Sequence, residues 1–245
     1  MNISVCIASY NGAKFIQEQI NSILKQLNEN DEVIIIDDCS TDNTVEIIKS
    51  FNDHRIKLFI NKVNKGHVYS FGKSISLSNN EIIFMSDQDD IWFENRVSLM
   101  VNRLTNFKVM LLSSNSESID ENSNKILNYS IGKVNSIDSD RYLNNIFNIF
   151  FCKAGYYGCS MAFTRDLKKY ILPIPIYIES HDLWIAKAAN LLKSNLHCDD
   201  ITLSRRIHGN NASLLKRKLL PKLWSRIIFI ISMIHLVFRY LLIKR

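Results

Sequence analysis

The sequence predicts an α/β fold, a mostly parallel sheet with helices on both faces. Three observations carry this. Apolar runs of strand length recur through the first 85 residues, stripes of helical period fall between them, and polar turn residues close each run. Ile3 to Ala8 reads as a buried strand, and Asn11-Gly12 turns the chain into a helix whose apolar face is Ala13, Ile16, Ile20, Ile23, Leu24 and Leu27. Glu32 to Ile36 forms a second strand, closed by Asp37-Asp38. Ser40 or Thr41 then offers a cap for a helix carrying Val45, Ile47, Ile48 and Phe51. Ile56 to Ile60 is a third strand, a helix through Val68, Phe71 and Ile75 follows Gly66, and Glu81 to Met85 is a fourth. Such alternation implies parallel pairing through helical crossovers.

Composition bounds the rest. With 245 residues, 47% of them hydrophobic and 22% charged, the chain suits one globular domain over residues 1–213, divided near 110, plus a tail over 214–245. The formal charge of +6 is uneven, because Lys216, Arg217, Lys218, Lys222, Arg226, Lys244 and Arg245 crowd the C-terminus. Phosphate-bearing partners are favoured, with no nucleic acid expected among them. The five cysteines form no C-x-x-C pair and the N-terminus lacks a signal-peptide pattern, so a reducing cytoplasm is expected.

In open α/β sheets ligands gather where strands end and loops leave for the next helix. Those ends read Ala8-Ser9-Tyr10-Asn11-Gly12, Asp37-Asp38-Cys39-Ser40 and Ser86-Asp87-Gln88-Asp89-Asp90. Like charges at such spacing repel by roughly 1–4 kcal/mol per pair. A divalent cation, Mn²⁺ or Mg²⁺, would offset this and keep positions open for phosphate oxygens. Any one of these aspartates could be a plain turn or capping residue; five along one edge need more explanation.

The segments Ser4–Gly12, Val33–Asp42 and Phe84–Trp92, in that order, resemble family 2 glycosyltransferases of the GT-A fold, over Ile3 to Ser213 and in the manner of bacterial surface-polysaccharide rhamnosyl and galactosyl transferases. The resemblance implies that Ala8, Ser9, Tyr10 and Asp38 hold the base and ribose of a nucleotide diphosphate sugar, with Lys65 and Gln88 among the donor-binding residues, while Asp37 orders the loop. Its D-x-D element corresponds to Asp87-Gln88-Asp89, with Asp89 the direct metal ligand, Asp87 reaching the ribose or a metal-bound water, and Asp90 in reserve. Gly158, in Gly158–Phe163, matches the small-residue loop beneath the donor sugar, where a side chain would crowd the ligand. Glu179-Ser180-His181-Asp182-Leu183-Trp184 matches the acidic motif that supplies the base of inverting members, which is Asp182 here. Ser180 can cap the helix and leave Asp182 in its first turn, where the dipole favours the ionised carboxylate. His181 departs from the commoner acidic residue. Arg205 to Ser213 matches a closing segment in which Arg206 pairs with the diphosphate and His208 ligates the metal.

The implied chemistry is one inverting displacement, with Asp182 as base and the cation stabilising the departing nucleoside diphosphate. The donor carries uridine or thymidine diphosphate, and the acceptor is a glycan or polyprenyl-linked sugar in cell-surface polysaccharide synthesis. Asn115 to Asp140, rich in Ser and Asn, is expected to shape the acceptor site as loops. From Leu223 to Ile243 the residues are mostly apolar, but Arg226, His235 and Arg239 interrupt them. A spanning helix needs ~20 apolar residues and tolerates a central charge poorly, so an interfacial amphipathic helix is expected, its basic residues on anionic headgroups of the inner membrane face. Packing on the domain, or on a second copy in a homodimer, is the alternative.

A non-catalytic sugar-nucleotide-binding partner of an active transferase is the main competing function; loss of Asp89 or Asp182 would favour it, and both are present. An oxidoreductase or kinase would need G-x-G-x-x-G or a phosphate loop, and neither occurs. A membrane scaffold leaves the ordered aspartates unexplained.

Overall fold

The computed structural model of the chain describes residues 1–127, 132–209 and 219–244. Its first half is the expected alternation: β1 (Ile3–Ser9), α1 (Ile16–Leu24), β2 (Glu32–Asp37), α2 (Thr44–Ser50), β3 (Ile56–Ile60), α3 (His67–Leu77) and β4 (Ile82–Ser86). Then come β5 (Ile91–Trp92), α4 (Arg96–Phe107), β6 (Leu111–Ile119), α5 (Tyr142–Phe150), β7 (Met161–Thr164), α6 (Lys168–Ile171), α7 (His181–Leu191), β8 (Asn195–Arg206) and α8 (Leu219–Ile243).

All eight strands join one sheet in the order β3-β2-β1-β4-β7-β6-β8-β5. The β3-β2-β1-β4 half is parallel throughout. The other half is mixed, because β7 runs antiparallel to both β4 and β6, while β6 and β8 pair in parallel. Alternation along β1 fills both faces: Val5 and Ile7 pack with Ile16, Ile20 and Ile23 of α1 and Met100 of α4, while Cys6 packs with Phe71 and Ile75 of α3 and Trp184 of α7.

Two expectations need correction. The second helix begins at Thr44 behind Asn43, not at a Ser40 or Thr41 cap. The Ser40 hydroxyl is engaged elsewhere, donating to Asp37 Oδ2 at 2.6 Å and accepting from the Asn11 amide at 2.9 Å. Asn115 to Ile119 is strand rather than loop. Asn115 hides the strand pattern because it finds partners inside: its Nδ2 donates to the Val134 carbonyl and its Oδ1 accepts from the Val134 amide, both at 3.0 Å. The apolar tail is helical, and α8 packs on α6 and α7, burying Ile228, Ser232 and Leu236; two of the polar residues that interrupt its apolar run face protein. His235 Nδ1 sits 2.7 Å from the Tyr177 hydroxyl, and Arg239 donates to the Tyr170 and Pro173 carbonyls. Asn210 to Ser213, Lys216, Arg217, Lys218 and Arg245 lie outside the described residues, as do residues 128–131.

Candidate active site at the C-terminal edge of the sheet

The first three loops lock one another. Ser9 is buried and donates to Asp37 Oδ2 at 3.0 Å, and Asp37 Oδ1 accepts from the Ser40 amide at 2.9 Å, so Asp37 orders the turn. Cys39 and Asn11 take left-handed backbone angles, φ 68° and 48°, a conformation that asparagine tolerates through local hydrogen bonding. Asn11 Oδ1 accepts from the Thr41 amide at 2.8 Å. Asp38 accepts three donors: Asn61 Nδ2 at 2.8 Å and the amides of Lys65 at 2.9 Å and Gly66 at 2.7 Å. It therefore folds the loop after β3 beneath the site. The Lys65 ammonium lies over the Tyr69 ring, 4.4 Å from its centre. Gln88 clamps the first loop, its Oε1 accepting from the Tyr10 amide at 2.9 Å and its Nε2 donating to the Tyr10 carbonyl at 3.1 Å. A Cβ on Gly12 would collide with that amide group. Ala8 is partly exposed and the Tyr10 ring, 45% exposed, faces solvent.

The acidic residues converge beside these loops. Asp89 Oδ2 lies 2.7 Å from His208 Nε2, joining residues that are 119 apart in sequence. Adjacent ligands of an octahedral ion at about 2.1 Å are themselves ~3 Å apart, so this oxygen and nitrogen suit one Mn²⁺ or Mg²⁺. Asp87, Asp90 and Cys159 bring ligand atoms within 4.8 Å of one another. Burial pushes the Asp87 carboxyl up to about 7, with Asp89 and Asp182 adding to the shift and Arg205 opposing it. Burial likewise raises Asp90 well above the carboxylate range. Its Oδ1 accepts from the Arg206 amide at 3.1 Å, while its Oδ2 is buried with no hydrogen-bond partner among the described residues.

The far wall is the start of α7. Ser180 caps the helix, its hydroxyl accepting from the Leu183 amide and donating to Asp182 Oδ1; that carboxylate also accepts from the Leu183 amide at 2.8 Å. Asp182 thus sits in the first turn, close enough to Asp87 to disfavour its ionisation. His181 stacks on Phe71 at 4.1 Å, and burial pulls its imidazole down to about 4. Both ring nitrogens are buried without hydrogen-bond partners among the described residues. A Cβ on Gly158 would come 2.7 Å from His181 Nε2. The immediate reason for glycine at 158 is therefore the imidazole rather than a ligand.

Arg206 departs from its expected role as a diphosphate partner. Its guanidinium is 1% exposed and donates to the Asp89 carbonyl at 2.9 Å, the Asp120 carbonyl at 3.1 Å, Ser123 Oγ at 3.0 Å and Glu18 Oε2 at 2.6 Å. Its fork is spent inside the protein. The neighbouring Arg205 was not singled out by sequence, yet it stands beside Asp87, Asp90 and Cys159, which raise its pKa, and lies over the Tyr157 ring at 4.3 Å. Arg96 was missed too: it is fully buried and donates to the Cys159 carbonyl at 2.6 Å, bracing the turn after Gly158. Strand alternation around residues 203–206 was the available signal for Arg205, since adjacent arginines on a strand face opposite sides.

A single sheet edge thus gathers Asp87, Asp89, Asp90 and Asp182 with His208 and Arg205. The sequence profile of glycosyl transferase family 2 matches residues 4–170. The chain belongs to that family and is a glycosyltransferase. The Escherichia coli UDP-Glc:alpha-D-GlcNAc-diphosphoundecaprenol beta-1,3-glucosyltransferase WfgD is 27% identical over 223 residues, 91% of this chain and 84% of that protein. The Shigella flexneri dTDP-rhamnosyl transferase RfbG is 31% identical over 177 residues, covering 68% of this chain but only 57% of its own length. Among solved structures, S. aureus TarS 1–349 in complex with UDP-GlcNAc aligns with a TM-score of 0.74 at 18% identity, over 95% of this chain and 66% of that one. The mannosyltransferase PcManGT from Pyrobaculum calidifontis, in complex with GDP-Man and Mn²⁺, aligns at 0.62 with 14% identity, over 97% of this chain and 73% of that one. These likenesses fix the GT-A fold.

Proposed function

We propose that this chain is an inverting, metal-dependent hexosyltransferase that moves a sugar from UDP or dTDP onto a glycan or polyprenyl-linked acceptor, in cell-surface polysaccharide synthesis at the inner face of the membrane. The observation that carries the reading is the Asp89–His208 contact at 2.7 Å, which joins the acidic loop after β4 to the segment after β8 around a donor set suited to a hard divalent ion. The names of WfgD and RfbG support the donor and acceptor classes, and PcManGT with Mn²⁺ supports the ion. A cation held by Asp89 and His208, with Asp87 beside it, would neutralise charge on the departing diphosphate.

The protein's own groups do the rest. Asp38 fixes the loop after β3 and, with Ala8, Ser9 and Tyr10, forms the nucleoside end of the site; Lys65, whose backbone it holds, edges that end, and Gln88 keeps Tyr10 in place. Asp182 accepts the proton of the acceptor hydroxyl as that oxygen bonds to the anomeric carbon and the bond to the diphosphate breaks. One attack from the face opposite the leaving group inverts configuration. Ser180 and the Leu183 amide hold this carboxylate.

The test is hydrolysis and transfer from a panel of UDP- and dTDP-sugars with Mn²⁺, Mg²⁺ or chelator, repeated with Asp89→Ala and Asp182→Asn. Metal-dependent turnover lost in both variants is expected. Failure of every donor to bind or react with either ion overturns the reading.

A further inference from the structure

We propose that α8 is a strut whose outer face seats on an anionic lipid bilayer while its inner face holds the segment that carries Asp182. The proposal rests on the membrane position in the reading above and adds what the helix does there.

The inner face is polar by design of contacts. Arg239 donates to the carbonyls of Tyr170 at 3.2 Å and Pro173 at 2.6 Å, His235 meets the Tyr177 hydroxyl at 2.7 Å, and Ser225 Oγ donates to Glu179 Oε2 at 2.6 Å. All four partners fall in the stretch that leads into Asp182, and residues 172–180 have no helix or strand of their own to hold them. Lys187 of α7 completes the seam by bonding Ser232. An irregular segment depends on such outside partners for its shape.

The outer face is the reverse. Trp224, Ile227, Ile231, Ile234, Phe238 and Leu241, at three- and four-residue spacing, are 43–62% exposed. A continuous apolar stripe of this size marks an interaction surface. Its occupant follows from charge. Residues 214–245 contain eight Lys and Arg and no Asp or Glu, so the preceding 213 residues of this +6 chain are net negative. Two such tails would repel in a pair of copies, whereas an anionic headgroup layer accepts both the stripe and the basic charge. Crossing the bilayer would strip Ser232, His235 and Arg239 of their partners and bury them in hydrocarbon; lying flat keeps every one of those bonds.

The experiment uses the full chain with phosphatidylcholine vesicles, with or without phosphatidylglycerol. The wild type should sediment with the anionic vesicles at least ~tenfold better than with the neutral ones. Ile227→Glu/Ile234→Glu/Phe238→Glu should abolish this and leave donor hydrolysis in solution intact. Tyr177→Phe and Arg239→Ala should still bind vesicles, but kcat should fall about tenfold or more at unchanged donor KM, and backbone hydrogen exchange at 172–182 should quicken. Indifference of the wild type to anionic lipid, or a soluble dimer broken by the triple variant, overturns the seating. Unchanged exchange at 172–182 in both inner variants overturns the strut. Because exchange and sedimentation need no turnover, a chain inert toward every donor sinks the transferase reading while this one is still decided.

Discussion

The packing of Gly158 against His181 yields the sharpest expectation. In Gly158→Ala the new Cβ starts 2.7 Å from His181 Nε2, whereas ordinary contact begins at 3.4 Å, so something must move by the difference of 0.7 Å. The imidazole is poorly able to yield, because it is buried and stacked on Phe71 at 4.1 Å. Gly66 is the one described glycine with positive φ, so backbone strain adds nothing at 158. Overpacking costs about 1–3 kcal/mol, and the stiffer unfolded chain returns about 0.4–1 kcal/mol. The net loss is about 1–2 kcal/mol, or roughly 2–8 °C in Tm for a domain of this size. His181→Ala opens the space and removes a ring whose nitrogens have no hydrogen-bond partners among the described residues. In that background Gly158→Ala should be neutral or mildly stabilising, giving a coupling of about 2 kcal/mol in a double-mutant cycle read by urea unfolding. Additivity within ~0.5 kcal/mol would refute the account.

Three other outcomes follow from the site and its supports. Asp89→Ala and His208→Ala should each weaken Mn²⁺ binding, read by electron paramagnetic resonance, by at least ~10–100-fold; retention in either excludes that residue from the ligand set. Arg206→Lys should lose several kcal/mol of stability, about 2–4, because a lysine cannot satisfy Glu18, Ser123 and two carbonyls at once. The folded fraction should bind donor normally; weakened donor binding without lost stability would restore a diphosphate role. Lys187 is buried between Trp184 and Phe229, and burial pulls its amine down to about 8. Its folded pKa lies below the unfolded one, so the folded state sheds its proton first and stability should rise with pH from about 8 toward the unfolded value near 10.4. Lys187→Met should abolish that rise and stabilise the protein at pH 7 by on the order of 1–3 kcal/mol; a parallel pH profile for both proteins counts against it.

The legible part of the chain is the part whose physics is local. β1 to β4 each lie within a residue of their expected spans; for β1, β2 and β4 this is because a buried strand needs nearly unbroken hydrophobicity, while β3 is a half-exposed edge strand read from its apolar run and flanking turns. The aspartates at their ends were legible for the same reason. β6 was hidden, since a strand that buries Ser114 and Asn115 against Val134, Ser160 and Thr202 carries no alternation to read. Arg205 and Arg206 were legible as a pair, but which one faces the acids depends on strand register. The imidazole beneath Gly158 needs two loops 23 residues apart brought together, and neither loop announces the other. The tail was read correctly as apolar and helical, but the purpose of its inner polar residues is set by the 170–180 segment.

The charge balance of the edge links the nucleotide to the ion. Asp87 and Asp90 are driven toward their neutral forms by burial, and Arg205 stands against them. At rest the rim is therefore less negative than Asp87, Asp89, Asp90 and Asp182 together imply. A diphosphate entering it meets Asp89 and Asp182 with Arg205 already committed to two carboxylates. Each unscreened like-charge pair then opposes binding by roughly 1–4 kcal/mol. A divalent charge bound at Asp89 and His208, as proposed, would reverse the sign of that interaction, and the two ligands would then bind cooperatively, each tightening the other by the same factor. UDP titrated by calorimetry should bind at least ~tenfold more tightly with Mn²⁺ than with chelator, and Mn²⁺ should bind more tightly by the same ratio with UDP present. In Asp89→Ala both gains should vanish. Equal UDP affinity with and without the ion in the wild type would mean that Arg205 alone carries the diphosphate, and that the acidic rim serves something other than cation-assisted departure.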